Sequence, residues 1–336
     1  MQPERQPQHQ RNPQLETLLQ EISGLLGPAE QQVAAQYRMP THPVVLVMGL
    51  PRCGSTLTMQ WLAASGRFAY PSNLLSRFYA APYVGVRIQQ LLTDPAFSFG
   101  NELHDLAASI DFASTLGKTR GALAPNEFWY FWRRFIPNIE PRRLTDEELA
   151  EVRSSEFAAE LAALEAAFGK PLAMKGLILA LNISFLDQLL DKVLFLHLRR
   201  HPFYNIQSLL ESRERYYGDR AGWYSIKPPE YDWLVGEDPI TQVVGQVVFT
   251  HQAMAADLAQ IDAARQLAVS YEAFCADPAG VWDQLTGRLR AQGLDADWPY
   301  DGPDRFPDTN QVRLPAGDVQ AILDAYRRFT GEQLAL

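Results

Sequence analysis

The sequence predicts a doubly wound α/β fold on a parallel sheet, from three observations. Residues 44–48 are an unbroken apolar and β-branched run, similar short runs recur in alternation with helical periods, and one long excursion separates the first run from the second. A strand buried on both faces shows no polar alternation, which is the pattern of a parallel sheet covered by helices. In order along the chain, residues 1–13 are rich in Gln and Pro without an apolar core and read as a disordered tail. Leu15, Leu18, Leu19, Ile22, Leu25 and Leu26 then recur at helical spacing up to a stop at Gly27-Pro28. After the strand at 44–48, a tight loop leads into a helix at about 55–64. Strands at 172–174, 193–198 and 267–270 alternate with helices at 183–190, 203–212 and 280–289. Residues 66–171 form a helical insertion with the aromatic cluster Phe128-Trp129-Tyr130-Phe131-Trp132 and an Ala/Glu-rich helix at about 146–168. Its length suits a cover over a substrate better than a simple crossover. Residues 14–336 read as one domain without internal repeats.

Composition narrows the function. The 336 residues are 47% hydrophobic and 21% charged, as in ordinary soluble globular proteins. Thirty Lys and Arg against 39 Asp and Glu leave a net charge of −9, which argues against a surface built to grip nucleic acid or anionic lipid. A polyanionic ligand must therefore meet a local basic pocket. Residues 31–93 contain no Asp or Glu, where the chain average would place about 7 in those 63 positions, yet carry Arg38, Arg52, Arg67, Arg77 and Arg87. Cys53 and Cys275 are too few for a disulfide framework or a Cys-rich zinc site. With no apolar run of membrane-spanning length and no recognisable signal segment, a cytoplasmic protein is expected.

The loop after the first strand carries chemistry. Gly49-Leu50-Pro51-Arg52-Cys53-Gly54-Ser55-Thr56 follows a buried strand and opens a helix, where backbone N–H groups and the helix dipole form an anion cradle. The Gly49-to-Gly54 spacing matches a nucleotide-binding P-loop, but Ser55 stands where the Lys should be and Thr56 holds the hydroxyl position. That argues against a triphosphate-dependent, P-loop kinase-like enzyme. Arg52 instead offers a planar fork to an anion. Cys53 reads either as a thiol of depressed pKa or as a small buried filler.

Pro51-Arg52-Cys53-Gly54-Ser55-Thr56 resembles the 5′-phosphosulfate loop of the PAPS-dependent sulfotransferase family. The family's second signature is a strand ending in Arg with a Ser eight residues later, and Arg200 and Ser208 match it. Ser270-Tyr271-Glu272 is similar to the family's segment near the adenine. Gly117-Lys118-Thr119-Arg120-Gly121, Pro125-Asn126-Glu127 and Trp223-Tyr224-Ser225-Ile226-Lys227-Pro228 look closest to the bacterial branch with an arginine-type loop. The resemblance, covering about residues 44–313, implies a P-loop-like sulfotransferase fold and transfer of a sulfuryl group from PAPS to a hydroxyl, less readily an amine, with release of PAP and no metal. Arg52, Cys53, Gly54, Ser55 and Thr56 would bind the 5′ side of the donor, Arg200 and Ser208 its 3′-phosphate, and Tyr271 the adenine side. The family's C-terminal contact to the 3′-phosphate is missing, which leaves Arg305 or Arg313 as substitutes. A catalytically silent PAP-binding regulator is the rival reading.

The general base departs from the family pattern. The strand Lys is present as Lys175, in contact with the sulfuryl group or merely capping its strand, but Leu177 occupies the position of the family's base His. Candidates are Glu127, then His104, with Glu102 and Asp111 behind. Glu127 lies in an aromatic segment expected to raise its pKa, although a carboxylate after Pro125 also suits a helix N-terminus. His104 reads equally as an ordinary surface or core imidazole. Aromatic residues at 128–132 and 223–231 point to a modest-sized aromatic or apolar acceptor, or to core.

Overall fold

The protein is described from a computed structural model, over residues 3–97, 106, 110–114, 117–138 and 140–336. Helix α1 (Pro13–Ala34) precedes strand β1 (Val44–Gly49) and helix α2 (Ser55–Ala64). The insertion carries α3 (Pro82–Thr93), α4 (Trp129–Trp132), α5 (Asp146–Ala150) and α6 (Ser154–Phe168). There follow β2 (Ala173–Lys175), α7 (Ile183–Leu189), β3 (Val193–Arg199), α8 (Pro202–Tyr217), α9 (Tyr231–Leu234) and α10 (Pro239–Leu258). The chain continues with β4 (Gln266–Ser270), α11 (Tyr271–Ala276), α12 (Pro278–Ala291) and α13 (Ala316–Thr330).

The four strands are all parallel, in the order β2-β1-β3-β4, so β1 and β3 are central and buried on both faces. Alternation along β1 divides the core. Val44, Leu46 and Met48 face the insertion, α7 and the end of α10, while Val45 and Val47 face α2, α11 and α12. A further apolar cluster joins Leu50, just past β1, to α8, α10 and α13. Each fully buried Val or Leu contributes about 1.5–3 kcal/mol relative to exposure, so the unbroken run at 44–48 holds the centre of the sheet.

Two expectations are corrected. α1 does not stop at Gly27-Pro28 but runs to Ala34, which brings Glu30 onto the start of α3. There the Glu30 carboxylate accepts from the Tyr83 and Val84 amides at 2.9 and 3.2 Å, supplying the free N–H groups of a helix that has no side-chain cap of its own. The helix read at 146–168 is two, because the Thr145–Glu148 capping box starts a short turn that ends before Ser154. The segment read as a disordered tail carries a short 3-10 turn at Pro7–His9 and lies against α8. The Gln6 amide donates to the Tyr216 carbonyl at 2.9 Å and the His9 ring stacks on Tyr216 at 4.3 Å. No helix among the described residues is long and apolar enough to cross a membrane.

Candidate functional site

A cleft of about 1120 Å³ opens where β1, β3 and β4 end, the place at which open α/β sheets bind ligands. Its loop wall is residues 49–56. Gly49 leaves β1 with φ 148°, and a Cβ there would lie 2.7 Å from the Leu198 carbonyl oxygen and 2.8 Å from Cys53 Sγ. Gly54 has φ 101°, and its missing Cβ makes room for the Tyr271 ring, which a Cβ would meet at 2.6 Å. Between them Arg52 takes a left-handed backbone, φ 71°, uncommon for a residue with a side chain. Asn205 holds this turn, its Nδ2 donating to the Pro51 carbonyl at 2.8 Å. No side chain caps α2, so its first turn faces the cleft as a source of positive potential.

Arg52 donates from Nε to Ser208 Oγ at 3.1 Å and has no ion pair among the described residues. Burial lowers its pKa, and the nearby Arg200 charge acts in the same direction. A guanidinium so placed is stabilised by an anion in the cleft. Arg200, just past β3, donates from Nη1 to the Arg52 carbonyl at 3.1 Å, from Nε to Asn310 Oδ1 at 2.8 Å and from Nη2 to Thr309 Oγ1 at 3.2 Å. Its guanidinium lies 4.8 Å from the centre of the Tyr271 ring, whose hydroxyl pairs with Thr309 Oγ1 at 3.0 Å. Glu272 closes the arrangement by accepting from the His201 amide at 2.9 Å and from Asn310 Nδ2 at 2.7 Å.

Lys175, at the end of β2 and only 4% exposed, bridges two groups. Its Nζ donates to Thr56 Oγ1 and to Glu127 Oε1, each at 2.9 Å. Thr56 passes its own hydrogen to the Gly117 carbonyl at 3.4 Å, and Trp129 Nε1 donates to Glu127 Oε2. Burial by itself pushes the Glu127 carboxyl up, but Lys175, the Trp129 N–H and Arg52 outweigh it and hold the group below its usual range. This corrects the expectation that the aromatic segment raises it.

The opposite wall is aromatic and comes from distant segments. Gln60 donates to the Asp111 and Ala113 carbonyls at 2.6 and 3.0 Å, which sets Phe112 against Phe306 with 5.2 Å between ring centres. Trp223 Nε1 donates to the Ile226 carbonyl at 3.1 Å, while Gln246 Nε2 reaches the Tyr224 and Ile226 carbonyls at 2.8 and 2.7 Å. Behind this wall Arg213 is fully buried, lies 4.8 Å from the Trp223 ring and donates to Gln242 and Gln246. Burial pushes it down to about 10, so it stays charged at neutral pH.

The structure thus brings together Arg52, Gly54, Ser55, Thr56, Lys175, Glu127, Arg200, Ser208 and Tyr271. It does not bring Arg313, whose guanidinium forms an ion pair with Glu211 at 2.8 Å, nor Arg305, which is exposed. Thr309 and Asn310 approach Arg200 in their place. The Cys53 thiol is buried, and burial pushes it up, which makes it the filler beneath Gly49 rather than a reactive group. Asp111 turns its carboxylate to the Ala113 amide, and His104 and Glu102 lie outside the described residues. Sequence reasoning missed Asn205, Gln60, Thr309 and Asn310. Only buried polar positions on otherwise apolar helices, as at Asn205 and Gln60, carried any signal. Among the described residues no group of three His, Cys, Asp or Glu side chains is placed to hold a metal ion.

The sequence pattern of the sulfotransferase family matches residues 43–295. No curated protein matches the chain. Among solved structures, the sulfotransferase STF9 from Mycobacterium avium is similar at 13% identity and a TM-score of 0.54, over 99% of this chain and 88% of that one. STF1 from Mycobacterium tuberculosis H37Rv is similar at 12% identity and 0.49, over 93% and 82%. The sulfotransferase domain from the curacin biosynthetic pathway shares 17% identity at 0.42, over 88% and 100%.

Proposed function

This chain belongs to the sulfotransferase family, and from that premise we propose that it moves a sulfuryl group from PAPS to a hydroxyl, in second place an amine, of a modest-sized acceptor and releases PAP. The observation that carries this reading is the Arg52–Ser208 hydrogen bond, with Arg200 on the Arg52 carbonyl. It joins two motifs far apart in sequence into one anion-binding wall at the start of α2. An enzyme that reads both a 5′-phosphosulfate and a 3′-phosphate needs two cations at separate points of one wall, and a triphosphate enzyme would need the P-loop Lys that Ser55 replaces. The cytoplasmic setting read from the sequence accords with two free, buried cysteines.

Sulfuryl transfer moves negative charge onto the bridging oxygen and the 5′-phosphate of the leaving group. Arg52, the Ser55 and Thr56 hydroxyls and the N-terminus of α2 face that charge, and groups fixed beforehand stabilise it without reorganising. Lys175 is within reach of the same place through Thr56. Glu127 is ionised and takes the acceptor's proton. Its affinity for that proton is held down by Lys175, so a Lys175 that turns toward the leaving oxygen restores basicity to Glu127 as the charge develops.

The Lys175–Glu127 ion pair also favours a second reading, a silent PAP-binding regulator, because a carboxylate tied to a lysine is a weak base. Transfer of label from PAPS across a panel of phenols and alcohols separates the two. The donor assignment is tested by calorimetry without added metal, where PAP binds much more tightly than AMP and Arg200→Ala loses on the order of 2–4 kcal/mol of PAP affinity. Equal affinity for PAP and AMP removes it.

A further inference from the structure

The cleft holds more positive charge than a donor requires. Besides Arg52 and Arg200, the described residues of its lining include Arg5, Arg11, Lys118 and Lys227, against three described carboxylates, Glu16, Glu127 and Glu140. Each carboxylate is already engaged. Glu127 pairs with Lys175, Glu140 pairs with Lys227 at 2.7 Å, and Glu16 accepts the Tyr130 hydroxyl. Arg5 and Arg11 make no ion pair among the described residues, and the Arg5 guanidinium rests over the Tyr216 ring at 5.5 Å. Both sit on a segment that lines the cleft, fixed by the Gln6–Tyr216 backbone bond, the His9–Tyr216 stack and the Asn12 cap of α1. Their charges add to burial in opposing the ionisation of Arg133. Arg5 and Arg11 are exposed on ordered backbone, so both are open to an anion entering the cleft.

This segment touches Tyr216, and Glu16 in the first turn of α1 accepts the Tyr130 hydroxyl, both rings lining the cleft. Resting on the sulfuryl-transfer reading for the word acceptor, we infer that the acceptor carries an anionic group, a carboxylate or a phosphate, bound by Arg5 and Arg11 while its ring or chain lies on the aromatic wall. The hydroxyl to be modified then points back toward Thr56 and Glu127. A neutral acceptor gains nothing from these two arginines, and a cationic one is repelled.

The test titrates four phenols into PAP-saturated protein by calorimetry: 4-hydroxyphenylacetate, 4-hydroxybenzylphosphonate, 4-ethylphenol and tyramine. At least one anion binds about tenfold or more tighter than 4-ethylphenol, as charge-assisted hydrogen bonds imply, and tyramine binds most weakly. The carboxylate and phosphonate arms tell which anion the pair prefers. The double variant Arg5→Gln, Arg11→Gln loses that tenfold advantage while keeping its affinity for PAP and for 4-ethylphenol, which also shows that it folds. An anion preference that survives the double variant, equal binding of 4-ethylphenol, or binding of none of the four overturns the inference. Failure of PAP to bind instead removes the sulfuryl-transfer reading, and the same titrations without PAP keep the two failures apart.

Discussion

At the loop end of the cleft, the chemical groups arrive from the ends of strands: Arg52 after β1, Lys175 closing β2, Arg200 after β3 and Tyr271 after β4. At the aromatic end they arrive from segments scattered along the chain, residues 5–16, 112–114, 117–118, 129–133 and 216–227. Register in a parallel sheet fixes the first set to one another, since β1 pairs with both β2 and β3. The second set is held by single contacts such as Gln60 on the Asp111 carbonyl and His9 on Tyr216. A site built on strand ends suits a ligand that never changes, and a site built on loops and insertions suits one that varies between relatives. On the proposed function, the strand ends would hold the donor and the loops the acceptor.

Three measurements sharpen or break that contrast. The largest effect belongs where the two ends meet. Glu127→Gln keeps shape but removes basicity, so it retains PAP binding and loses about 10²–10⁴-fold in transfer rate. His104→Ala is the control and leaves the rate unchanged; a near-normal Glu127→Gln beside a dead His104→Ala moves the proton to the histidine and separates the base from the Lys175 bridge. Next, Arg52→Ala lowers kcat by about 10²–10³-fold while PAP affinity falls less, because the charge it faces grows along the reaction. An intact kcat with only a raised donor KM would reduce Arg52 to a binding residue, leaving the loop end with no part in the chemistry. The smallest effect concerns His197 of β3 and His251 of α10, whose rings lie 6.2 Å apart. Burial lowers His197 to about 4 and His251 to about 3. Each stays neutral in the fold while the unfolded chain takes up protons near pH 6.5, so each contribution is complete above that pH and declines as the pH falls toward 4. Thermal melts of His197→Gln, His251→Gln against the parent therefore show the variant gaining, relative to the parent, between pH 6.5 and pH 4. A constant difference across that range contradicts the burial of neutral rings.

The contrast between the two ends also governs what could be read from the sequence. The run at 44–48 and the alternation at 193–198 are visible because a strand buried on both faces is apolar throughout, and Gly49, Arg52 and Gly54 are visible because an anion loop needs them at that spacing. α10 is not legible in the sequence for a related reason. Val243, Val244, Val247 and Val248 are buried together with Thr241, Gln242 and Gln246, so the helix is covered nearly all round and shows no single apolar stripe. The Lys175–Glu127 pair spans 48 residues and two different elements, which no spacing rule connects. Nor does composition reveal that a Gln- and Pro-rich stretch stacks on Tyr216, since one ring contact and one backbone bond leave no periodic trace. Thr309 and Asn310 sit in an irregular stretch with no periodic signal, and it is they that contact Arg200 while Arg313, the conspicuous cation nearby, pairs with Glu211.

The backbone at Arg52 has a consequence for the evolution of the chain. A φ of 71° would suit glycine, and an L-residue there gives up about 1–2 kcal/mol. Selection for stability alone would drift this position to glycine and discard the guanidinium with it. On the proposed function, retaining arginine means that the fold carries a standing deficit at the point of chemistry, partly offset by the side-chain bond to Ser208. Engineering for heat resistance that accepts the most stable residue at every site would therefore produce, at this one position, a sturdier protein with a silent loop.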